Sequence, residues 1–205
     1  MDKKKMYELY GEMVRRHGDE DICSQMLKKM LLAEENTETK GGINLKDWVS
    51  KDKKARRPRF MGAFYKEGRI VATDTHALIV LNNQKYPEEM EGRIVTPDGD
   101  FADDEFPKMW EQIVPDPKKM TEIKPDWQKV KVDLKEVKLG LRSNTRSVSY
   151  VNFDDKFCIG EKYVSLLLKL QASPGISRMM YMDNRRAILV EGPNYQAMFM
   201  PVIKD

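Results

Sequence analysis

Residues 68–78 read GRIVATDTHAL, a run of β-branched and small apolar residues that follows a glycine and turns polar near its end. Such a run predicts a β-strand, because branched side chains fit the pleated surface of a sheet. We extend this strand over residues 69–81 and place a second strand at residues 59–66. The Glu67-Gly68 pair between them predicts a tight turn, so the two strands should form an antiparallel hairpin.

The second half of the chain repeats the alternation of strand and helix signals. Strands are predicted at residues 129–134, 147–153 and 157–159, followed by a helix over residues 161–172 that Ser173-Pro174-Gly175 ends. Three further strands are predicted, at residues 176–182, 186–191 and 195–203. This order predicts an α+β protein with two helices on one face of antiparallel sheets.

Residues 1–40 are predicted to be an N-terminal helical hairpin added to a body at residues 41–205. Residues 3–16 space their apolar side chains at helical intervals, and His17-Gly18 interrupts the pattern. The second helix should carry its apolar side chains on one face: Ile22, Met26, Leu27, Met30 and Leu31. Within the body, residues 84–128 hold six of the ten prolines, which predicts a long irregular insertion.

Composition favours a soluble cytoplasmic protein without a cofactor or metal ion. Cys23 and Cys158 are the only cysteines and lie far apart, so neither a disulfide framework nor a metal-binding spacing is present. No apolar h-region follows the first residues, and no run approaches the roughly 20 apolar residues that span a bilayer. The formal charge of +3 is small for a dedicated nucleic-acid binder, so any DNA contact should be local or weak.

Enzymatic motifs are scarce. His17 and His76 are the only histidines, and no nucleophile elbow, P-loop or GxGxxG is found. Asp74 and His76 stand close together at a strand end, where they could form an acid–base pair of a hydrolase or nuclease. A turn or a strand-end hydrogen bond is the favoured interpretation of these two residues.

A basic segment follows a short predicted helix at residues 45–54, which Asn44 can cap. Six of the nine residues at 51–59 are Lys or Arg. Cations held toward solvent can meet phosphates without reading bases, although an ordinary solvated face explains them equally well.

Several stretches resemble the bacterial DNA sliding clamp, the beta subunit of the replicative DNA polymerase. Residues 68–78 are similar to the clamp's VATDGHRLA strand end, and residues 57–62 to its RP-x-L-x-G entry. Residues 106–115 resemble the FP-(N/D)-(W/Y) segment that links clamp domains. Residues 157–182 and 198–202 resemble the last clamp domain and its terminal VVMPM. The family's Gly and Arg at the strand end are Thr75 and Ala77 here, and the chain has room for about one full copy of the repeated domain.

The resemblance implies a hydrophobic cleft that accepts short peptides from DNA polymerases or other replication factors. Methionine suits such a groove because its side chain is flexible and polarizable. Strand alternation predicts that Met198 and Met200 share a face, so that both belong to the cleft or both to the core. Carried over by position, the cleft residues are Thr73, Thr75, His76, Ala77, Leu78, Met198, Met200, Pro201 and Val202.

The resemblance also implies that two inner helices face double-stranded DNA with a basic surface. The helices matched by position are those at residues 45–54 and 161–172. Their implied DNA-backbone contacts are Lys46, Lys51, Lys53, Lys54, Arg56, Arg57, Lys162 and Lys169.

Three functions therefore stay open. The first is a non-catalytic clamp-like module in DNA replication, which docks a polymerase or replication-factor peptide and touches the DNA backbone weakly and non-specifically. One domain cannot encircle a duplex, so a ring would require a homo-oligomer. The second is a clamp-fold scaffold that works through its N-terminal hairpin, and the third is the hydrolase or nuclease named above.

Overall fold

The structure, a computed structural model, describes residues 3–35, 42–51, 57–108, 110–140, 149–153, 156–182 and 187–202. The chain divides into two compact units. The first contains residues 1–72 and 83–106, and the second contains residues 73–82 and 107–205. Both units combine helices with antiparallel strands, which confirms the predicted α+β class.

The first unit begins with the predicted helical hairpin, formed by α1 (Lys3–His17) and α2 (Ile22–Glu35). Asp21 caps α2, since its carboxylate accepts hydrogen bonds from the backbone N–H groups of Cys23 and Ser24. A small core of Met6, Leu27 and Leu31 joins the two helices. The hairpin therefore forms where the helical spacing of apolar residues predicts it.

The prediction that α2 has a single apolar face is wrong. Leu27 and Leu31 are buried against α1, whereas Ile22, Met26 and Met30 are exposed by 73%, 62% and 56%. Successive helical residues are rotated by about 100°, so the stripe at 22, 26 and 30 points away from the stripe at 27 and 31. We call the exposed residues Ile22, Met26 and Met30 the α2 stripe.

The strands of the first unit are neighbours in the sheet. They are β1 (Ala63–Lys66), β2 (Arg69–Thr73) and β4 (Ile94–Val95), which pair antiparallel with β1 in the middle. The strand predicted at 59–66 starts late because residues 58–60 form a 3-10 turn after Pro58. The helix predicted at 45–54 is also wrong for the described residues 42–51, where only Leu45–Asp47 form one 3-10 turn capped by Asn44.

Five neighbouring antiparallel strands of the sheet lie in the second unit. Their order is β3 (Ala77–Leu81), β10 (Tyr195–Phe199), β9 (Ile188–Gly192), β8 (Arg178–Tyr181) and β5 (Thr121–Ile123). The predicted single strand over 69–81 is thus two strands, β2 and β3, separated by residues 74–76. A separate hairpin joins β6 (Tyr150–Phe153) to β7 (Phe157–Gly160).

Among its described residues, the second unit contains three helices. They are the single turn α3 (Trp110–Ile113), α4 (Trp127–Lys138) and α5 (Glu161–Ala172). The strand predicted at 129–134 is wrong, because these residues lie within α4. Asp126 caps α4 through the backbone N–H groups of Gln128 and Lys129, and α4 packs against α5 and β6.

Candidate functional site

Residues 73–77 form the strand-end turn, the feature that separates β2 from β3. Thr73 Oγ1 accepts from the Thr75 N–H at 3.0 Å and donates to the Ala77 carbonyl at 2.7 Å. The Asp74 carboxylate accepts from the N–H groups of His76 and Ala77 at 3.1 and 3.0 Å. Thr75 adopts a φ of 82°, a conformation that β-branched residues rarely occupy. Local side-chain bonds therefore replace the continuous strand that the sequence predicts.

The second carboxylate oxygen of Asp74 reaches α5. It accepts hydrogen bonds from Lys162 Nζ and, at 3.0 Å, from Tyr163 Oη. Burial alone would raise the pKa of Asp74, but the bond from Lys162, the N–H of Ala77 and the Lys162 charge outweigh it and lower that pKa. Burial and the negative charge of Asp74 raise the pKa of Tyr163, so its hydroxyl stays a donor.

The Asp74–His76 bond supports the turn interpretation rather than the acid–base pair. The carboxylate bonds the backbone N–H of His76, while the ring Nδ1 lies 3.2 Å from the Thr75 hydroxyl. The ring also lies beside Tyr163, with centroids 6.3 Å apart and planes at 22°. Asp74 thus has a structural role at the turn.

The chain after β10 meets the strand-end turn directly. The Met200 N–H donates to the His76 carbonyl at 2.8 Å, and the Val202 N–H donates to the Cys158 carbonyl at 2.8 Å. The prediction that Met198 and Met200 share an environment is wrong. Met198 is buried within β10, whereas Met200 is 41% exposed, because regular pairing ends at Phe199.

The two stretches assigned to a cleft therefore lie side by side, but their residues differ in accessibility. Thr73, Ala77, Leu78 and Met198 are buried. The residues at the surface are Thr75, His76 and Met200, which are exposed, and Pro201 and Val202, which are half-buried. Only this second group, which we call the Met200 surface, could contact a ligand without rearrangement of the sheet.

The predicted basic residues are divided between the two units, and three of them lie outside the described residues. Lys46, Lys51 and Arg57 belong to the first unit, where Lys46 is half-buried and the other two are exposed. Lys53, Lys54 and Arg56 lie outside the described residues. Lys162 and Lys169 are exposed on α5, and Lys162 forms an ion pair with Asp74.

Lysines on α4 are candidates that the sequence reading missed. Lys131, Lys135 and Lys138 are exposed and spaced at i, i+4 and i+7, so they form one face, here called the α4 lysine face. Lys138 Nζ lies 3.3 Å from Ser165 Oγ of α5. The signals for this helix were the Asp126 cap and the buried spacing of Val130, Leu134 and Val137.

Within the described part of the chain, no group of three or more His, Cys, Asp or Glu residues could hold a metal ion. Neither of the two cysteines, which both lie among the described residues, forms a disulfide, and Cys23 lies at the surface while Cys158 lies in the interior. A search of the same residues for a helix long and apolar enough to cross a membrane finds none.

Comparison with solved structures identifies the fold as that of the bacterial DNA sliding clamps. The DNA polymerase III beta subunit of Thermotoga maritima matches 87% of the chain with a TM-score of 0.57 at 15% identity. The sliding clamp of Bacillus subtilis matches 87% with a TM-score of 0.56 at 15% identity. The sliding clamp of Bartonella birtlesii, bound to griselimycin, matches 78% with a TM-score of 0.57, also at 15% identity.

The match covers 65%, 63% and 63% of those three proteins, so the chain spans slightly less than two thirds of their length. No protein-family model and no curated protein matches the sequence. The chain therefore has a sliding-clamp fold, and its sequence is distant from those of the solved clamps.

Proposed function

We propose that this chain is a non-catalytic, clamp-like protein of DNA replication, which docks a short peptide of a DNA polymerase or another replication factor on the Met200 surface. The observation that carries the proposal is the hydrogen bond from Met200 to His76. It joins the two stretches that resemble the clamp cleft and leaves a methionine exposed beside them. A flexible, polarizable side chain in that position suits a surface that binds several peptides.

Substituting Met200 by glutamate should abolish peptide docking. A charge in the middle of an apolar contact must be desolvated, so we expect micromolar binding to weaken by a factor of about 30 or more. Fluorescence anisotropy with a labelled clamp-binding peptide from the host's replicative polymerase measures this change. Met200 is exposed, so the free energy of unfolding should change by less than about 0.5 kcal/mol.

Met26→Glu is the matched control for this experiment. Met26 is an exposed methionine of the α2 stripe, in the other unit of the chain. We expect this variant to bind the peptide as the wild type does. Equal binding by all three proteins would contradict docking at the Met200 surface. Leu78, only 4% exposed, is unsuitable for such a test because a charge there would disrupt the sheet.

We further propose that the second unit contacts the DNA backbone through the α4 lysine face. Each lost phosphate contact reduces the slope of log affinity against log salt by about 0.9. Replacing Lys131, Lys135 and Lys138 together by glutamine should therefore reduce the slope for duplex DNA by about 2 to 3. Titrations at several salt concentrations measure the slope.

A second triple variant controls for net charge. Lys118, Lys119 and Lys124 are exposed lysines of the same unit that lie outside α4. Their replacement by glutamine removes the same charge and should leave the slope nearly unchanged. If both triple variants lowered the slope equally, DNA would respond to overall charge alone and the α4 lysine face would have no special role.

The α2 stripe favours a second candidate function, in which the hairpin binds a protein partner. Three apolar side chains, exposed by more than half, follow one another at i, i+4 and i+8 on α2. Such a face can pack against another amphipathic helix. The Met26→Glu variant separates the candidates, because loss of the cellular partner in this variant, with peptide binding retained, would assign the interaction to the hairpin.

A further inference from the structure

The strand-end turn requires support from outside its own backbone. Its central residue, Thr75, is β-branched and has a φ of 82°, whereas the clamp motif that it resembles has glycine there. A backbone held in this region persists only when surrounding contacts impose it. The turn also carries the exposed part of the proposed docking surface, since Thr75 and His76 both reach solvent.

The support comes from Asp74 and, through Asp74, from α5. One oxygen holds the N–H groups of His76 and Ala77, and the other is held by Lys162 and Tyr163. The side chain of Asp74 is only 6% exposed, whereas that of Lys162 is 53% exposed. A carboxylate so far removed from water needs a cation and several donors, because an unpaired charge there is strongly unfavourable.

We propose that Lys162 is a positioning residue for the strand-end turn and that its ammonium group serves Asp74 rather than a DNA phosphate. The inference rests on the proposed docking function and specifies how that surface is kept in shape. The ammonium group lies 4.9 Å from the centre of the Tyr163 ring, so the side chain extends across α5 toward Asp74. A phosphate could recruit Lys162 only by leaving the buried carboxylate without its cation.

Lys169 provides a matched control, because it is an exposed lysine two helical turns further along α5. Lys162→Met removes the ammonium group and keeps the length of the side chain, whereas Lys162→Arg keeps a cationic donor. Lys169→Met removes the same charge at a distance from the turn. All three changes are at exposed helical positions, so we expect each protein to remain folded.

Hydrogen exchange of the backbone amides of Thr75, His76 and Ala77 tests the proposal without any ligand. These amides are protected by bonds to Thr73 and Asp74, so Lys162→Met should accelerate their exchange about tenfold, corresponding to one lost charge-assisted bond. Lys162→Arg should restore the wild-type rates, and Lys169→Met should not change them. Unchanged exchange in Lys162→Met would overturn the proposal.

Measurements of peptide and DNA binding test the functional consequence of the Lys162–Asp74 ion pair. If the wild type binds a polymerase peptide, Lys162→Met should bind it about tenfold more weakly, because fewer molecules hold the competent turn. The salt slope for duplex DNA should stay at the wild-type value, and a decrease of about one would identify Lys162 as a phosphate contact and overturn the proposal. If the wild type binds no peptide, the proposed docking function fails, while the exchange rates still decide the role of Lys162.

Discussion

The Gly99→Ala variant is expected to lose the docking of α2 on the loop at residues 96–100. Gly99 has a φ of 83°, and a Cβ atom built on it would overlap the carbonyl oxygen of Lys29 and lie 3.0 Å from the Ala33 nitrogen. Both neighbours are backbone atoms of a helix and cannot rotate away. Combining backbone strain with steric overlap, we expect the free energy of unfolding to fall by about 3 kcal/mol. Urea titration and hydrogen exchange of α2 measure the loss.

Gly92→Ala isolates the contribution of the backbone conformation. Gly92 has a φ of 70°, similar to that of Gly99, but a Cβ atom there meets nothing within 4 Å. This variant should lose only about 1 kcal/mol and should leave exchange within α2 unchanged. An equal loss in both variants would show that the close approach of Gly99 to α2 contributes nothing. The Lys29–Asp100 ion pair joins α2 to the same loop, and it adds little because both of its groups are exposed.

The contact between Gly99 and α2 shows which features of the hairpin can be predicted from sequence and which depend on tertiary structure. The spacing of apolar residues predicts the existence of α1 and α2 correctly, because helical periodicity is a local property. Which stripe of α2 is buried depends on the position of α1 and of the loop around Gly99, and both are tertiary features. The exposed α2 stripe could therefore not be distinguished from the buried Leu27 and Leu31.

The strand-end turn was hidden by the same kind of limit. Residues 69–81 have strong β propensity on both sides of the turn. The residue with the positive φ is Thr75, and a threonine, unlike a glycine, does not indicate a turn in the sequence. The local bonds of Thr73 and Asp74 interrupt the strand, and a long-range pair with Lys162 stabilises the interruption. The local bonds can be predicted from the known turn preference of Asp. The ion pair with Lys162 cannot, because the two residues are 88 positions apart in the sequence.

The strand predicted over residues 129–134 is wrong for a different reason. Residues 129–134 alternate Lys, Val, Lys, Val, Asp and Leu, which fits a strand over six residues. Over the full helix, Val130, Leu134 and Val137 are buried at a period near 3.6, and Asp126 supplies the cap. A longer window would have favoured the helix and brought the α4 lysine face into consideration in place of residues 45–54.

The end of β10 separates buried residues, which cannot touch a ligand, from exposed residues, which can. Phe199→Ala tests whether the change from buried to exposed falls between Phe199 and Met200. Phe199 is fully buried, pairs with Ala77 and Ile188 in the sheet, and meets the Tyr163 ring edge-on at 6.4 Å. Loss of this side chain leaves a cavity beneath the strand-end turn, so we expect the free energy of unfolding to fall by about 3 to 5 kcal/mol. Met200→Ala, one residue later and 41% exposed, should change it by less than about 0.5 kcal/mol. Urea titration of the two variants measures both values, and a large loss in Met200→Ala would contradict a surface role because it would place Met200 in the core.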